Sequence, residues 1–299
     1  MELKQTICLV SLGCAKNLVD SEVMLGVLAR AGFTLTADRQ AAHIIIVNTC
    51  AFIEDSTREA ISTIFDCARC KQTGSCRHLV VCGCLPQRYK DELLAEFPEV
   101  DLLLGTGEFD RIDTHLRRLI AGRQKSRLHS RRPTLLMGAA TPRIVSTPAG
   151  SAYLKIAEGC SHRCTYCTIP RIRGPYRERS QRSILQEAKQ LAGQGVKEIT
   201  LIAQDTTLYA DLAGLLRRLA RIDGIAWLRM LYGHPASLSS EVLAVMAGEE
   251  KVCRYLDIPL QHIADPVLRR MGRKITGAKT KALIAALQKR VPGIALRTT

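Results

Sequence analysis

"HIIIVNTC", residues 43–50, sets four consecutive β-branched side chains, Ile44 to Val47, ahead of a polar Asn-Thr-Cys end. A short continuous apolar run of this kind reads as a buried strand. Its neighbours fix the context. "QTICLVSL" (5–12), "HLVVCG" (78–83) and "VDLLLG" (100–105) read as further strands. Between them lie helical patterns. Residues 17–31 carry Leu18, Val19, Met24, Leu25 and Leu28 as apolar positions, a second helix covers about 56–69, and Pro86 is placed to open a third. Strand and helix in alternation predict a parallel, doubly wound sheet over the first 110 residues or so.

The alternation fades between about 111 and 143, which hold nine Lys or Arg, Lys125 among them, against the single acid Asp113. It resumes at about 151. Strands are expected at 151–157, 197–203, 225–231, 253–258 and 293–298, and helices at about 181–193, 207–221, 238–248 and 277–289. Repeated βα units of this length predict a barrel or partial barrel. The expected organisation is an N-terminal α/β domain over 1–122, a basic linker over 123–147 and a partial (β/α) barrel over 148–299. The chain stops in or just after the fifth barrel strand, so a truncated barrel is expected.

No apolar run in the 299 residues reaches the roughly 18 to 20 needed to span a bilayer. The N-terminus lacks the apolar core and cleavage site of a signal peptide, so a cytoplasmic protein without a membrane partner is expected. Twelve cysteines in a reducing compartment point to thiolate ligands and buried thiols rather than disulfides. A net charge of +15 suits an RNA or ribonucleoprotein partner, and equally suits a merely basic surface.

Two cysteine patterns carry chemistry. In "EGCSHRCTYC" (158–167), Cys160, Cys164 and Cys167 directly follow the expected strand "SAYLKIA" (151–157), at the mouth where α/β folds place their sites. Three thiolates on a four-iron cube leave one iron open to a small molecule. A zinc site needs a fourth ligand, and His162 is badly spaced to supply it. In the first domain, Cys14, Cys50 and Cys84 each lie just past a strand, in "LGCAKN" (12–17), "VNTC" (47–50) and "CGCL" (82–85). Parallel strands end on one edge, which brings these three together as a second three-thiolate set. Each read singly is also an ordinary buried thiol. Cys82, two residues before Cys84, competes for the third place. Cys67, Cys70 and Cys76 form C-x2-C-x5-C, read either as a zinc or redox site completed by His78 or Cys82, or as free thiols. Cys8 and Cys253 read as core.

The C-x3-C-x2-C spacing with Tyr166 before the last cysteine resembles the radical S-adenosylmethionine (SAM) enzymes. The series "SLGCAKNLVDSE", "VNTCAFI", "CGCLPQRY" and "EGCSHRCTYCTIPRIRGPYRER" resembles the methylthiotransferases over essentially the whole chain. The resemblance implies two [4Fe–4S] clusters, one on Cys160, Cys164 and Cys167 and one on Cys14, Cys50 and Cys84. It implies SAM as both methyl donor and source of a 5′-deoxyadenosyl radical. Tyr166 is then a candidate SAM contact. Gln204 and Asp205 are candidates for SAM or substrate, with helix capping the alternative for Asp205. "IRGPYRER", "LIAQDTTLY" and "DIPLQH" resemble the branch that methylthiolates the β-carbon of an aspartate in a small-subunit ribosomal protein. This implies the ribosomal protein or subunit as partner and a flavodoxin- or ferredoxin-type reductant. The alternatives are the branch acting on tRNA adenosine, or a zinc- and RNA-binding fragment without catalysis.

Overall fold

A computed structural model describes residues 5–124 and 126–298; Lys125 of the basic run lies outside them. Contacts divide the chain into two units: residues 1–135, 140–146 and 171–174 form the first, and residues 136–139, 147–170 and 175–299 the second.

The first unit runs β1 (Thr6–Ser11), α1 (Ala15–Arg30), β2 (Thr34–Leu35), β3 (Ile44–Thr49), α2 (Glu54–Thr73), β4 (His78–Gly83), α3 (Cys84–Tyr89), α4 (Glu92–Glu96), β5 (Leu102–Gly105), α5 (Ile112–Ile120) and β6 (Leu128–His129). All pairings are parallel, in the order β2-β1-β3-β4-β5-β6. Every residue of β3 is buried, as its β-branched run requires. Ile45, Val47, Val81 and Leu103 pack on Ala60, Ile64 and Cys67 of α2.

Much of the stretch expected as a basic linker contributes to this unit. Leu128–His129 adds the sixth strand, and Arg143 is bonded to Glu22 of α1 (Nη2–Oε2 2.6 Å), a carboxylate with no solvent exposure. Sequence alone does not show which arginines of a basic run meet buried acids.

Glu108 forms the centre of a second polar cluster. It is 2% exposed and bonded to His115 Nε2 at 3.0 Å and Arg111 Nη2 at 2.9 Å, while the Arg131 amide donates to it at 3.2 Å. Burial raises its pKa, but these partners more than offset that and hold it at about 2. The folded pKa lies below the unfolded value. The associated stability is therefore present above about pH 4.5 and is lost as pH falls toward 2. It amounts to about 3 kcal/mol at neutral pH. Glu108→Gln is expected to lower the urea midpoint at pH 7 and to flatten its fall between pH 4.5 and 2. An unchanged acid profile would contradict this.

The second unit holds β7 (Ser151–Lys155), β8 (Ala157–Glu158), α6 (Ile169–Arg173, whose last turn belongs to the first unit), β9 (Arg177–Glu178), α7 (Gln181–Gly193), β10 (Glu198–Ile202), α8 (Leu212–Ala220), β11 (Trp227–Met230), α9 (Ser240–Gly248), β12 (Tyr255–Asp257), α10 (Asp265–Arg270), α11 (Gly277–Arg290) and β13 (Ala295–Arg297). β7, β10 and β11 form a parallel sheet, a parallel bridge joins Leu228 to Val252, and β12 pairs β13 in parallel. These are the five strands of a partial barrel. Their helices start on side-chain caps: Ser180 for α7, Asp211 for α8, Ser239 for α9 and Thr276 for α11. The antiparallel pair β8–β9 and the short α10 were not expected from the sequence. Among the described residues no helix is long and apolar enough to cross a membrane.

Candidate cluster sites

In the first unit, register brings the three strand ends level. Ser11 pairs Asn48, Asn48 pairs Cys82, and Thr49 pairs Gly83. Adjacent strands lie about 4.8 Å apart, so the residues just past them are neighbours. The turns are locked by polar side chains. Asn17 Nδ2 donates to the Leu12 carbonyl (2.7 Å), Asn48 Nδ2 to Ser21 Oγ (2.8 Å), and Thr49 Oγ1 to the Cys82 carbonyl (2.6 Å). Gly13 turns with φ +87°, and a Cβ there would stand 2.5 Å from Cys50 Cβ and 3.0 Å from its Sγ. Gly83, at φ +98°, is likewise hemmed in by Asn48 and Thr49.

Cys14 sits at the N-cap of α1, where Ser or Asp is usual, and no side chain caps that helix. Burial raises its pKa. Lys16, Arg173 and the amides of Asn17 and Lys16 outweigh burial and leave the thiol below its ordinary value. Cys84 is pushed up to about 11 by burial, against the pull of Arg173, with Cys14 and Cys50 adding to the rise. Cys14 and Cys50 act electrostatically on Cys84, and cationic Arg173 and Lys16 with backbone N–H donors face the set, a donor arrangement that suits a metal cluster better than three free thiols. The residues fit a [4Fe–4S] group on these grounds.

Cys82 stands apart from this set. Its thiol donates to Met24 Sδ at 3.8 Å, and burial pushes its pKa far up. Cys84 opens a helix, so strand periodicity does not carry from one cysteine to the other. Cys8, Cys70 and Cys76 donate to the carbonyls of Ala37, Asp66 and His78. Burial, opposed by Arg39, pushes Cys67 up to about 11. Among the described residues, the one group of three His, Cys, Asp or Glu ligand atoms within 4.8 Å of one another is His162, Asp205 and His234. Cys67, Cys70 and Cys76 form no such group, and neither do the two three-cysteine sets; a single tetrahedral ion requires that spacing, whereas a four-iron cube holds its thiolates farther apart.

In the second unit, Gly159 (φ +82°) leads into the cysteine loop. Cys160 is buried and pushed up to about 11 by that burial; the His162 amide opposes, and Cys167, Asp205 and Cys164 add. The loop closes on itself through the Cys167 amide and the Cys164 carbonyl (3.1 Å). It is pinned to the end of α10: the Thr165 amide donates to Met271 and its hydroxyl to Arg270 (2.9 Å). Gly272 passes close beneath, since a Cβ there would stand 2.8 Å from the Arg163 carbonyl. A cavity of about 300 Å³ opens beside Cys164, lined also by Arg163, His162, His234 and Lys274. A cluster with an open corner and an anionic ligand fit these surroundings.

The remaining candidates brace this loop. His162 Nε2 donates to Asp205 Oδ2 (2.8 Å) and its ring stacks on His234 at 4.2 Å. Stacked imidazoles present parallel edges, which does not suit two ligands converging on one ion. Asp205 also accepts from the Thr207 amide (3.0 Å), so it caps the turn after β10. Gln204 Nε2 donates to Glu158 (2.5 Å), whose other oxygen meets Lys155 Nζ (2.8 Å). Tyr166 is 45% exposed. Sequence reasoning passed over Asn17, Asn48, Thr49, Lys155 and Glu158. The available signal was polar residues at the ends of apolar strands.

Residues 6–105 match the Uncharacterized protein family UPF0004, and residues 154–299 the Radical SAM superfamily. The chain is 49% identical over 307 residues to the ribosomal protein uS12 methylthiotransferase RimO of Geotalea uraniireducens (strain Rf4), covering 99% of this chain and 68% of that one. It is 48% identical over 303 residues to the protein of the same name from Pelobacter propionicus (strain DSM 2379 / NBRC 103807 / OttBd1), covering 99% and 67%. Among solved structures, the radical S-adenosylmethionine methyltransferase TsrM from Kitasatospora setae, with cobalamin and a [4Fe-4S] cluster bound, matches at TM-score 0.70 and 17% identity, over 99% of this chain and 69% of that one. At that identity the likeness concerns the fold.

Proposed function

We propose, starting from the fact that this chain belongs to the radical SAM methylthiotransferase family, that it replaces a hydrogen on the β-carbon of an aspartate in ribosomal protein uS12 by a methylthio group. The observation that carries the proposal is the pair of three-cysteine sets, one at the strand ends of each unit. Members of the family use [4Fe–4S] clusters and SAM. We assign one cluster to Cys14, Cys50 and Cys84 and the other to Cys160, Cys164 and Cys167. Residues 1–122 then serve the sulfur-handling cluster and residues 148–299 the radical chemistry, with 123–147 between them. When bound, these groups supply one-electron cleavage of SAM and delivery of sulfur and methyl.

The chain's own residues hold and orient. Gly13 leaves room for the Cys50 side chain. Asp205 holds His162, and with it the middle of the second cysteine loop. Arg163 and Lys274 line the cavity beside Cys164, a setting that favours carboxylates, whether of SAM or of the aspartate. Tyr166 is exposed enough to meet a ligand, whereas Gln204 and Asp205 act through their neighbours. A flavodoxin or ferredoxin is the class of reductant required.

The test is anaerobic reconstitution, then incubation with SAM, sulfide, a low-potential reductant and either small ribosomal subunits or tRNA. Mass spectrometry is expected to find SCH3 in place of H on an aspartate of uS12. The same mass on a tRNA adenosine, with uS12 unmodified, would overturn the choice of substrate.

A further inference from the structure

Helix α1 buries a carboxylate, Asp20 (4% exposed), in the unit that carries Cys14, Cys50 and Cys84. Such a charge is tolerated only with a well-placed partner. The partner is Arg173, itself 3% exposed, whose Nη1 lies 2.5 Å from Asp20 Oδ2. A guanidinium is a planar fork with donors to spare. Its Nη2 donates to Asn17 Oδ1 (3.1 Å) and also to Cys84 Sγ (3.5 Å). The backbone before it is held as well, since Thr106 Oγ1 donates to the Ile172 carbonyl (2.6 Å). Asp20 and Asn17 therefore fix the plane and direction of the fork, and one of its N–H groups is left aimed at a cysteine sulfur. A purely structural ion pair has no need of that contact.

We infer that Arg173 is a positioning residue that sets the reduction potential of the cluster held by Cys14, Cys50 and Cys84, through its hydrogen bond to Cys84 Sγ. The inference rests on the assignment of that cluster under the proposed function. One-electron reduction adds negative charge to the cluster and its thiolates. A cationic donor on a ligand sulfur stabilises the reduced state more than the oxidised one and raises the potential. Asp20 works in the opposite sense and keeps the donor in place.

The full chain carrying Cys160→Ala, Cys164→Ala and Cys167→Ala isolates this cluster. After anaerobic reconstitution, iron is counted and the midpoint is read by electron paramagnetic resonance during titration with dithionite. Two changes are then added. Arg173→Lys keeps the charge and a partner for Asp20 but loses the fork. The swap Asp20→Asn with Arg173→Met removes both charges together and is compared with Asp20→Asn alone. Both Arg173 changes are expected to lower the potential, the swap by at least tenfold in reduced-to-oxidised ratio at a fixed ambient potential, or 59 mV for one electron. An unchanged midpoint with iron fully loaded and circular dichroism intact overturns the inference; should the swap not fold, Arg173→Lys decides. Failure of the parent variant to load iron at all is a different result, and sinks the cluster assignment instead.

Discussion

Replacing Cys160, Cys164 and Cys167 together by alanine is expected to abolish reductive cleavage of SAM and leave about half of the iron in place. Each cube carries four irons, so a fully loaded chain holds about eight and this variant about four. Replacing Cys14, Cys50 and Cys84 is expected to give the complementary result. Iron again falls to about four and 5′-deoxyadenosine is still released, but methylthiolated product drops to background. The argument is structural. Each set lies at the strand ends of its own unit, and each unit has its own sheet and core. Loss of one set removes no contact within the core of the other. The measurement pairs iron counting with chromatography of 5′-deoxyadenosine and mass spectrometry of the substrate. If either triple variant loses all of its iron and both activities, the two sets are not independent sites.

The six candidate cysteines come from a rule that is local and topological. A cysteine just past an apolar strand, three times over, needs only the parallel order of β1, β3 and β4 to be brought to one sheet edge. The βα rhythm of both halves came from the same short-range patterns. What was not legible depends on partners distant in sequence. Arg173 lies 153 positions from Asp20, and Arg143 lies 121 from Glu22. On paper "LVDSE" in α1 does not show what its acids meet, and the arginines of "RIRGPYRER" read either as contacts to carboxylate or phosphate groups or as solvated. In the fold Asp20, Ser21 and Glu22 are all buried, because chain from 140–146 and 171–174 packs into the first unit. The same reason hid β6, whose two residues have no strand signature until β5 offers an edge. The roles of Gln204 and Asp205 were half legible. Their place at the mouth after β10 follows from topology, but that Asp205 grips His162 and Gln204 grips Glu158 does not.

Gly13→Ala is expected to destroy the first unit's cluster site by one methyl group, and Gly32→Ala provides the measure of how much is sterics. The two glycines have nearly the same φ, +87° and +90°. An L side chain in this region costs about 1–3 kcal/mol at either position. Their surroundings differ entirely. A Cβ on Gly32 meets nothing within 4 Å, whereas one on Gly13 stands 2.5 Å from Cys50 Cβ and 3.7 Å from Cys50 Cα. Cys50 cannot yield by turning its side chain, because the clash is with its Cβ, next to the main chain. Its backbone is held in turn, since Thr49 beside it is tied to Cys82. Either Cys14 or Cys50 must therefore leave its place. Gly32→Ala is expected to lower the urea midpoint by the strain alone and to load iron fully. Gly13→Ala is expected to lower it further and to load only about four irons, with release of 5′-deoxyadenosine retained and methylthiolation lost. Equal iron content in the two variants would mean that Cys50 does not need the space Gly13 leaves, and that the first three-thiolate set is not held as the sheet edge presents it.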